Sequence, residues 1–352
     1  MTTASLLLGL VLLAAAAFGE ALFEDAHVVK ITPGRYGPRG MPGDIIELKD
    51  GGLLLCYTVN GIMGRTSSDQ GRTWSDEFPL VPNPKPPSAK GYYGHPSFLR
   101  LPNGEVLLSY IYATGDPPYY GCNYYRRSGD EGKTWGDQLI MTPAPGYNIM
   151  HNDKWTLLST GRIIAPCECK KRYPAERDHE GYVCRVFYSD DNGYSWWMAK
   201  NEVDMDPHEA QEPECVELKD GRLLMTFRSY SGYVGRAFST DKGETWSKGE
   251  FIESLPLPNC GAVTIKRIPT TGDLLLIRAT GGEDHRRTPL VSVISKDEGE
   301  TWIDPRAIAG DPDGDYGYQS VGFLGDVAVI SYHALDGLHV ARIGVDWFYG
   351  GH

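Results

Sequence analysis

Residue types able to move protons or form bonds to carbon stand at equivalent places along this chain. His95, Glu212 and Tyr318 each lie six residues before the leucine that opens a short glycine-containing turn: Leu101 ahead of Asn103-Gly104, Leu218 ahead of Asp220-Gly221, Leu324 ahead of Gly325-Asp326. The same count gives Pro42, Asn152 and, aligned on Ile268, Ala262, so four of the six positions are polar. An imidazole or a carboxylate can give or take a proton, and a phenol can attack carbon once its proton is removed. Brought around one axis, these side chains converge on a single funnel.

The element that would bring them there is a repeat. Five segments read Ser-x-Asp-x-Gly-x-Thr/Ser-Trp: Ser67 to Trp74, Ser128 to Trp135, Ser189 to Trp196, Ser239 to Trp246 and Ser295 to Trp302, at intervals of 61, 61, 50 and 56 residues. The pattern suits a hairpin turn: the Asp accepts hydrogen bonds from the N–H groups of its own loop, the Gly takes a positive φ, and the Trp folds back as an apolar plug. Ahead of each copy, two alternating apolar segments flank a turn (Asp50-Gly51, Asn103-Gly104, Thr160-Gly161, Asp220-Gly221, Thr271-Gly272), and a sixth unit is centred on Gly325-Asp326. These read as paired strands. Six units of about four strands predict an all-β, six-bladed β-propeller over residues 26–349, whose innermost strands begin around a central channel. The last unit lacks the octapeptide, and residues 26–31 are expected to complete it as an outer strand.

Composition agrees with strands and excludes some partners. The chain has 352 residues, 42 of them Gly and 21 Tyr, and is 41% hydrophobic, enough for a substantial core. With 34 basic against 46 acidic residues the net charge is −12, which argues against nucleic acid as a partner. Leu6 to Phe18 is an apolar run too short to span a bilayer and ends in small residues, so residues 1–19 read as a signal peptide and the protein as secreted or periplasmic, with no membrane association beyond export. Seven cysteines, an odd number, do not form a disulfide framework; at most one bridge is expected, among Cys167, Cys169 and Cys184. No second ligand pair follows Cys167-x-Cys169 at zinc spacing, so no metal and no cofactor are expected.

The octapeptides resemble the Asp-box of sialidases and related propellers, and the resemblance to exo-sialidases extends over roughly residues 30–345. In that family a glutamate in a short segment activates a tyrosine nucleophile, and three arginines hold the substrate carboxylate. Gln211-Glu212-Pro213-Glu214-Cys215-Val216-Glu217-Leu218-Lys219-Asp220-Gly221 matches the glutamate segment, and the strand after it carries Arg228 where the second arginine is expected. Arg287-Thr288-Pro289-Leu290 is similar to the third arginine's segment, and Gly317-Tyr318-Gln319-Ser320 to the nucleophile's. The resemblance thus implies Tyr318 as nucleophile and Glu212 as its base. The chemistry suits a substrate whose anomeric carbon bears a carboxylate, which would repel an anionic carboxylate nucleophile, while guanidinium groups grip that carboxylate bidentately.

The chain departs from the family at two places. The first arginine normally precedes Ile-Pro, whereas here Arg39-Gly40-Met41-Pro42 is one residue longer, so Arg39 or Arg35 takes that place. The family's general-acid Asp has no counterpart, because no carboxylate lies between Gly51 and Ser68. Candidates to protonate the leaving oxygen are His95, His151, Asp153, His208 and Glu209, with His151 and Asn152 also placed to touch substrate. Three readings follow: an exo-glycosidase of sialidase type acting on a terminal acidic sugar; a polysaccharide lyase, in which Arg neutralises a uronate carboxylate and His or Tyr removes the adjacent proton; and a non-catalytic carbohydrate-binding propeller. Each has a glycan as partner, and a monomer is expected.

Overall fold

The computed structural model describes residues 23–30, 42–59, 61–83, 91–114, 119–142, 144, 146–172, 181–257, 261–281 and 286–351. The leader read in residues 1–19, Arg35, Arg39 and Cys260 lie outside them.

Six antiparallel sheets stand around one axis, confirming the six-bladed propeller. Blade one comprises Gly43–Glu47, Leu53–Thr58, Gly61–Ser67 and Phe78–Pro82; blade two Gly91–Arg100, Val106–Thr114, Gly121–Ser128 and Leu139–Ile140. Blade four comprises Gln211–Glu217, Leu223–Arg228, Tyr233–Ser239 and Glu250–Pro256; blade five Val263–Arg267, Leu274–Ala279, Leu290–Ser295 and Ile303–Ala309. Blade three is irregular. Its inner strand is split into Asn148–Ile149 and Thr156–Leu157, both paired with Ile163–Lys170, followed by Tyr182–Ser189 and Trp197–Met198. Blade six runs Gly317–Leu324, Val327–Ala334, Gly337–Gly344 and is completed by the N-terminal strand Phe23–Lys30, as an outer strand.

Second strands such as Leu53–Thr58 and Leu274–Ala279 are buried at every position because both faces are covered by neighbouring blades. The core is therefore laid down between blades: Leu53, Leu55 and Tyr57 pack against Val329, Leu338 and Val340 of blade six, and Leu54 and Cys56 against Phe98, Val106 and Tyr110 of blade two. No helix among the described residues is long and apolar enough to cross a membrane.

The octapeptides are hairpin turns. In the first, Asp69 accepts from the Thr73 N–H at 2.8 Å and the Thr73 hydroxyl at 2.6 Å, the Ser67 hydroxyl accepts the Gly71 N–H at 2.8 Å, and Gly71 has φ +89°. The other four copies repeat this pattern. One expectation is corrected: Cys56, Cys122, Cys167, Cys169, Cys184 and Cys215 are all buried free thiols, so no bridge joins Cys167, Cys169 and Cys184.

Candidate functional site

His95, Glu212 and Tyr318 reach one place by one backbone device. Each lies on an inner strand in the left-handed region, with φ of +48°, +50° and +47°, His95 at the middle of Gly91–Arg100 and the other two second in theirs, and each sits in a β-bulge where the register to the second strand slips. A bulge turns the side chain out of the sheet's alternation. Left-handed φ in a residue with a side chain costs on the order of 1–3 kcal/mol and persists only when surroundings hold it. Here other blades do: the His95 N–H donates to Thr58 Oγ1 at 3.2 Å, the Glu212 N–H to Glu168 Oε2 at 3.2 Å, and Asn152 Nδ2 donates to the Tyr318 carbonyl at 2.8 Å.

The Tyr318 hydroxyl donates to Glu212 Oε1 at 3.1 Å. Arg228 Nη1 donates to the same oxygen at 2.9 Å, and the Arg287 guanidinium lies 5.5 Å from the centre of the Tyr318 ring. Glu212 is almost fully buried, and burial alone would raise its pKa. The charges of Arg228, His151 and Arg287, with the Tyr318 hydrogen bond, outweigh it and hold the carboxyl down at about 2. Tyr318 moves the other way: burial and the Glu212 charge push the phenol up to about 12, against the pull of both arginines. Phenolate is therefore not stored at rest; its proton must leave as the oxygen forms a new bond.

Imidazoles surround the phenol. The His151 ring stacks on Tyr318, centroids 5.8 Å apart at 4°, His95 meets Tyr318 edge-on at 5.4 Å and His151 at 4.4 Å, and His333 lies 5.7 Å from Tyr318. Burial, then the charge of His151, pushes the pKa of His95 well below the usual imidazole value despite the opposing charge of Glu212. It is neutral at neutral pH, a proton acceptor rather than a store of protons.

The other expected residues fall elsewhere. Asn152 is an internal brace, its amide donating to the Gly43 and Tyr318 carbonyls at 2.8 Å. Its count was offset because blade three's inner strand breaks at this loop; the left-handed residue there is Asp153, φ +54°. Asp153 is no free acid either: one oxygen pairs with Lys266 Nζ at 2.7 Å and the other accepts the Val321 N–H at 2.8 Å. With Glu214, which holds Lys154 at 2.6 Å and Lys266 at 2.9 Å, it forms a buried ionic lattice joining inner strands across the axis. His208 meets Phe251 edge-on, and Glu209 accepts from Gln211 Nε2 at 2.8 Å. Arg39 lies outside the described residues.

Glu168 and His333 were missed. They sit on second strands, Ile163–Lys170 and Val327–Ala334, whose mouth-side ends reach the same funnel. A count confined to inner-strand starts does not reach them, although a carboxylate between two cysteines in a largely apolar strand was a signal. Among the described residues, buried polar atoms without a hydrogen-bond partner gather here: His95 Nδ1, both ring nitrogens of His151, Glu212 Oε2, and Nε and Nη1 of Arg287. Buried polar groups are normally satisfied, so these atoms could take up the polar groups of a ligand.

Comparison with known proteins gives a consistent picture. A family model described as BNR repeat-like domain matches residues 59–329. A sialidase of Micromonospora viridifaciens is 26% identical over 376 residues, covering 94% of this chain and 55% of its own length. This chain thus spans about half the length of the curated sialidases it matches. Among solved structures, a protein of unknown function from Dyadobacter fermentans superposes with a TM-score of 0.68 at 18% identity, covering 92% of this chain and 98% of that one. The NanB sialidase of Streptococcus pneumoniae superposes with 0.70 at 14% identity, covering 91% and 70%. At such identities the superpositions speak for the fold.

Proposed function

The chain belongs to the BNR repeat-like domain family, and from that premise we propose that it is an exported glycoside hydrolase of sialidase type, removing a terminal acidic sugar through Tyr318. The observation that carries this reading is the Tyr318 hydroxyl on Glu212 with Arg228 and Arg287 beside them. Arg287, with buried unpartnered donors, takes the substrate carboxylate and orients the ring. Tyr318 Oη attacks the anomeric carbon as its proton passes to Glu212, and the bond to the leaving oxygen breaks as that oxygen takes a proton from solvent in the open mouth. Water then attacks the anomeric carbon and gives up a proton to solvent, while Glu212 returns its proton to the phenol oxygen as the sugar–Tyr bond breaks and the free sugar leaves.

A second reading is favoured by the neutral His95. With an arginine neutralising a uronate carboxylate, an uncharged imidazole can remove the proton beside it, and expulsion of the glycosidic oxygen leaves an unsaturated uronate. One experiment separates them. The protein is incubated with sialylated glycans and with uronate-bearing glycans, and products are read by mass spectrometry and ultraviolet absorbance. Free acidic sugar without new absorbance is expected, with turnover falling at least about a thousandfold in Tyr318→Phe at unchanged thermal stability. Unsaturated products replace the hydrolase by the lyase. Binding without turnover of either class overturns both.

A further inference from the structure

Behind the phenol, three side chains from two blades point donor atoms at one another. His151, Glu168 and Glu212 each place a ligand atom within 4.8 Å of the other two, and all three are more than nine-tenths buried. Some point therefore lies within about 2.8 Å of all three atoms, so closure by less than about 1 Å reaches the roughly 2.0–2.2 Å of zinc bonds to nitrogen and carboxylate oxygen.

Two of the three residues keep a ligand atom unspent, while Glu168 Oε2 accepts the Glu212 N–H. His151 is 7% exposed, and neither ring nitrogen has a hydrogen-bond partner; Nε2 stands 3.6 Å from Glu168 Oε2, beyond hydrogen-bonding distance. Glu212 gives Oε1 to Tyr318 and Arg228 while Oε2 has no partner. Tyr318 stacks on the imidazole and the Glu212 N–H holds Glu168, so two of the three donors are already oriented.

We propose that His151, Glu168 and Glu212 form a binding site for a borderline divalent cation, zinc above all. The positive charges of Arg228 and Arg287 oppose any cation there. That opposition acts fully on magnesium and calcium, which depend on charge and oxygen ligands, and is offset for zinc by its bond to imidazole nitrogen. Affinity is accordingly weaker than at closed four-ligand structural sites, and selectivity for zinc is sharp. If Glu212 is the base of the reaction described above, an ion on Oε2 draws away its basicity, so occupancy and turnover exclude each other. That consequence rests on the functional reading; the binding itself does not.

The test is calorimetric and needs no substrate. Metal-free full-length protein titrated with zinc chloride at neutral pH is expected to bind one ion saturably, with no heat from magnesium or calcium. In Glu168→Gln and His151→Gln, checked for folding by thermal unfolding, the affinity is expected to fall more than about a hundredfold, beyond the tenfold to hundredfold usual for an outer partner of a metal ligand. X-ray absorption of the zinc-loaded wild type, which needs no variant, should show nitrogen and oxygen ligands. Absence of saturable binding up to millimolar zinc overturns the proposal, as does binding undiminished in both variants or a spectrum with sulfur ligands, which would place the ion among the buried thiols.

Discussion

Arg287 and Arg228 carry the same charge and do different work. Arg228 is committed at rest, spanning Glu212 at 2.9 Å and the Tyr230 hydroxyl at 3.1 Å. Arg287 is 5% exposed with two donor nitrogens unpartnered, so it is the guanidinium whose fork is available to an incoming carboxylate. Arg287→Lys keeps the charge and loses the fork. Affinity or turnover for an acidic sugar should fall roughly tenfold or more, matching a lost charge-assisted hydrogen bond of about 1.5–3 kcal/mol, while a neutral sugar is unaffected. Steady-state kinetics on both sugars checks this, and equal losses on the two would remove Arg287 from carboxylate recognition.

At the scale of the strand and the turn, two devices divide the labour. The bulged inner-strand starts aim side chains at the funnel; the octapeptide hairpins close the blades. Asp241 accepts from the Thr245 N–H at 2.8 Å, the Thr245 hydroxyl at 2.6 Å and the Ser239 hydroxyl at 2.9 Å. Asp241→Ala orphans those donors and should cost about 1–3 kcal/mol in denaturant unfolding while turnover per folded molecule stays at the wild-type value. Both devices also govern what could be read from sequence. The octapeptide is local, so its chemistry is written in eight consecutive residues, and counting back from the turn finds His95, Glu212 and Tyr318 because their bulges fall at the same offset. Asn152 fails the same count because its blade breaks the inner strand there, and the residue becomes a brace between blades. Glu168 and His333 stayed hidden because they meet Glu212 and Tyr318 laterally, through the placement of one strand beside another. Likewise, pairing of Asp153 with Lys266 depends on contacts across the axis that no spacing along the chain encodes.

Over the whole molecule, ring closure rests on the pairing of the N-terminal strand Phe23–Lys30 with Gly337–Gly344. His339 sits on that seam, its Nδ1 3.1 Å from Asp25 and its Nε2 2.9 Å from Asp336. Burial lowers its pKa, but the hydrogen bonds and charges of Asp25 and Asp336 prevail and raise it. A group whose folded pKa is raised adds stability that is complete below its unfolded value, near about 6.5, and is lost as pH rises through the folded value. The advantage of wild type over His339→Gln in urea unfolding should therefore be larger at pH 6 than at pH 8. Because the carboxylates are partly exposed, the change should be modest, about 1 kcal/mol or less. An advantage that is flat or grows with pH would contradict it.

The same seam sets an order of events in synthesis. Phe23 pairs with Ile343 and Lys30 with Gly337, so the first strand of the ring to leave the ribosome has as partner one of the last. Five blades can form hairpin by hairpin from contacts local in sequence, but the sixth joins opposite ends of the chain and bears the largest loop-closure entropy. Until then both its edges are open to pairing with another chain. A release that is delayed, or a chain truncated before Gly337, leaves a nearly complete ring with an unmatched edge, the state from which a propeller would swap strands or aggregate.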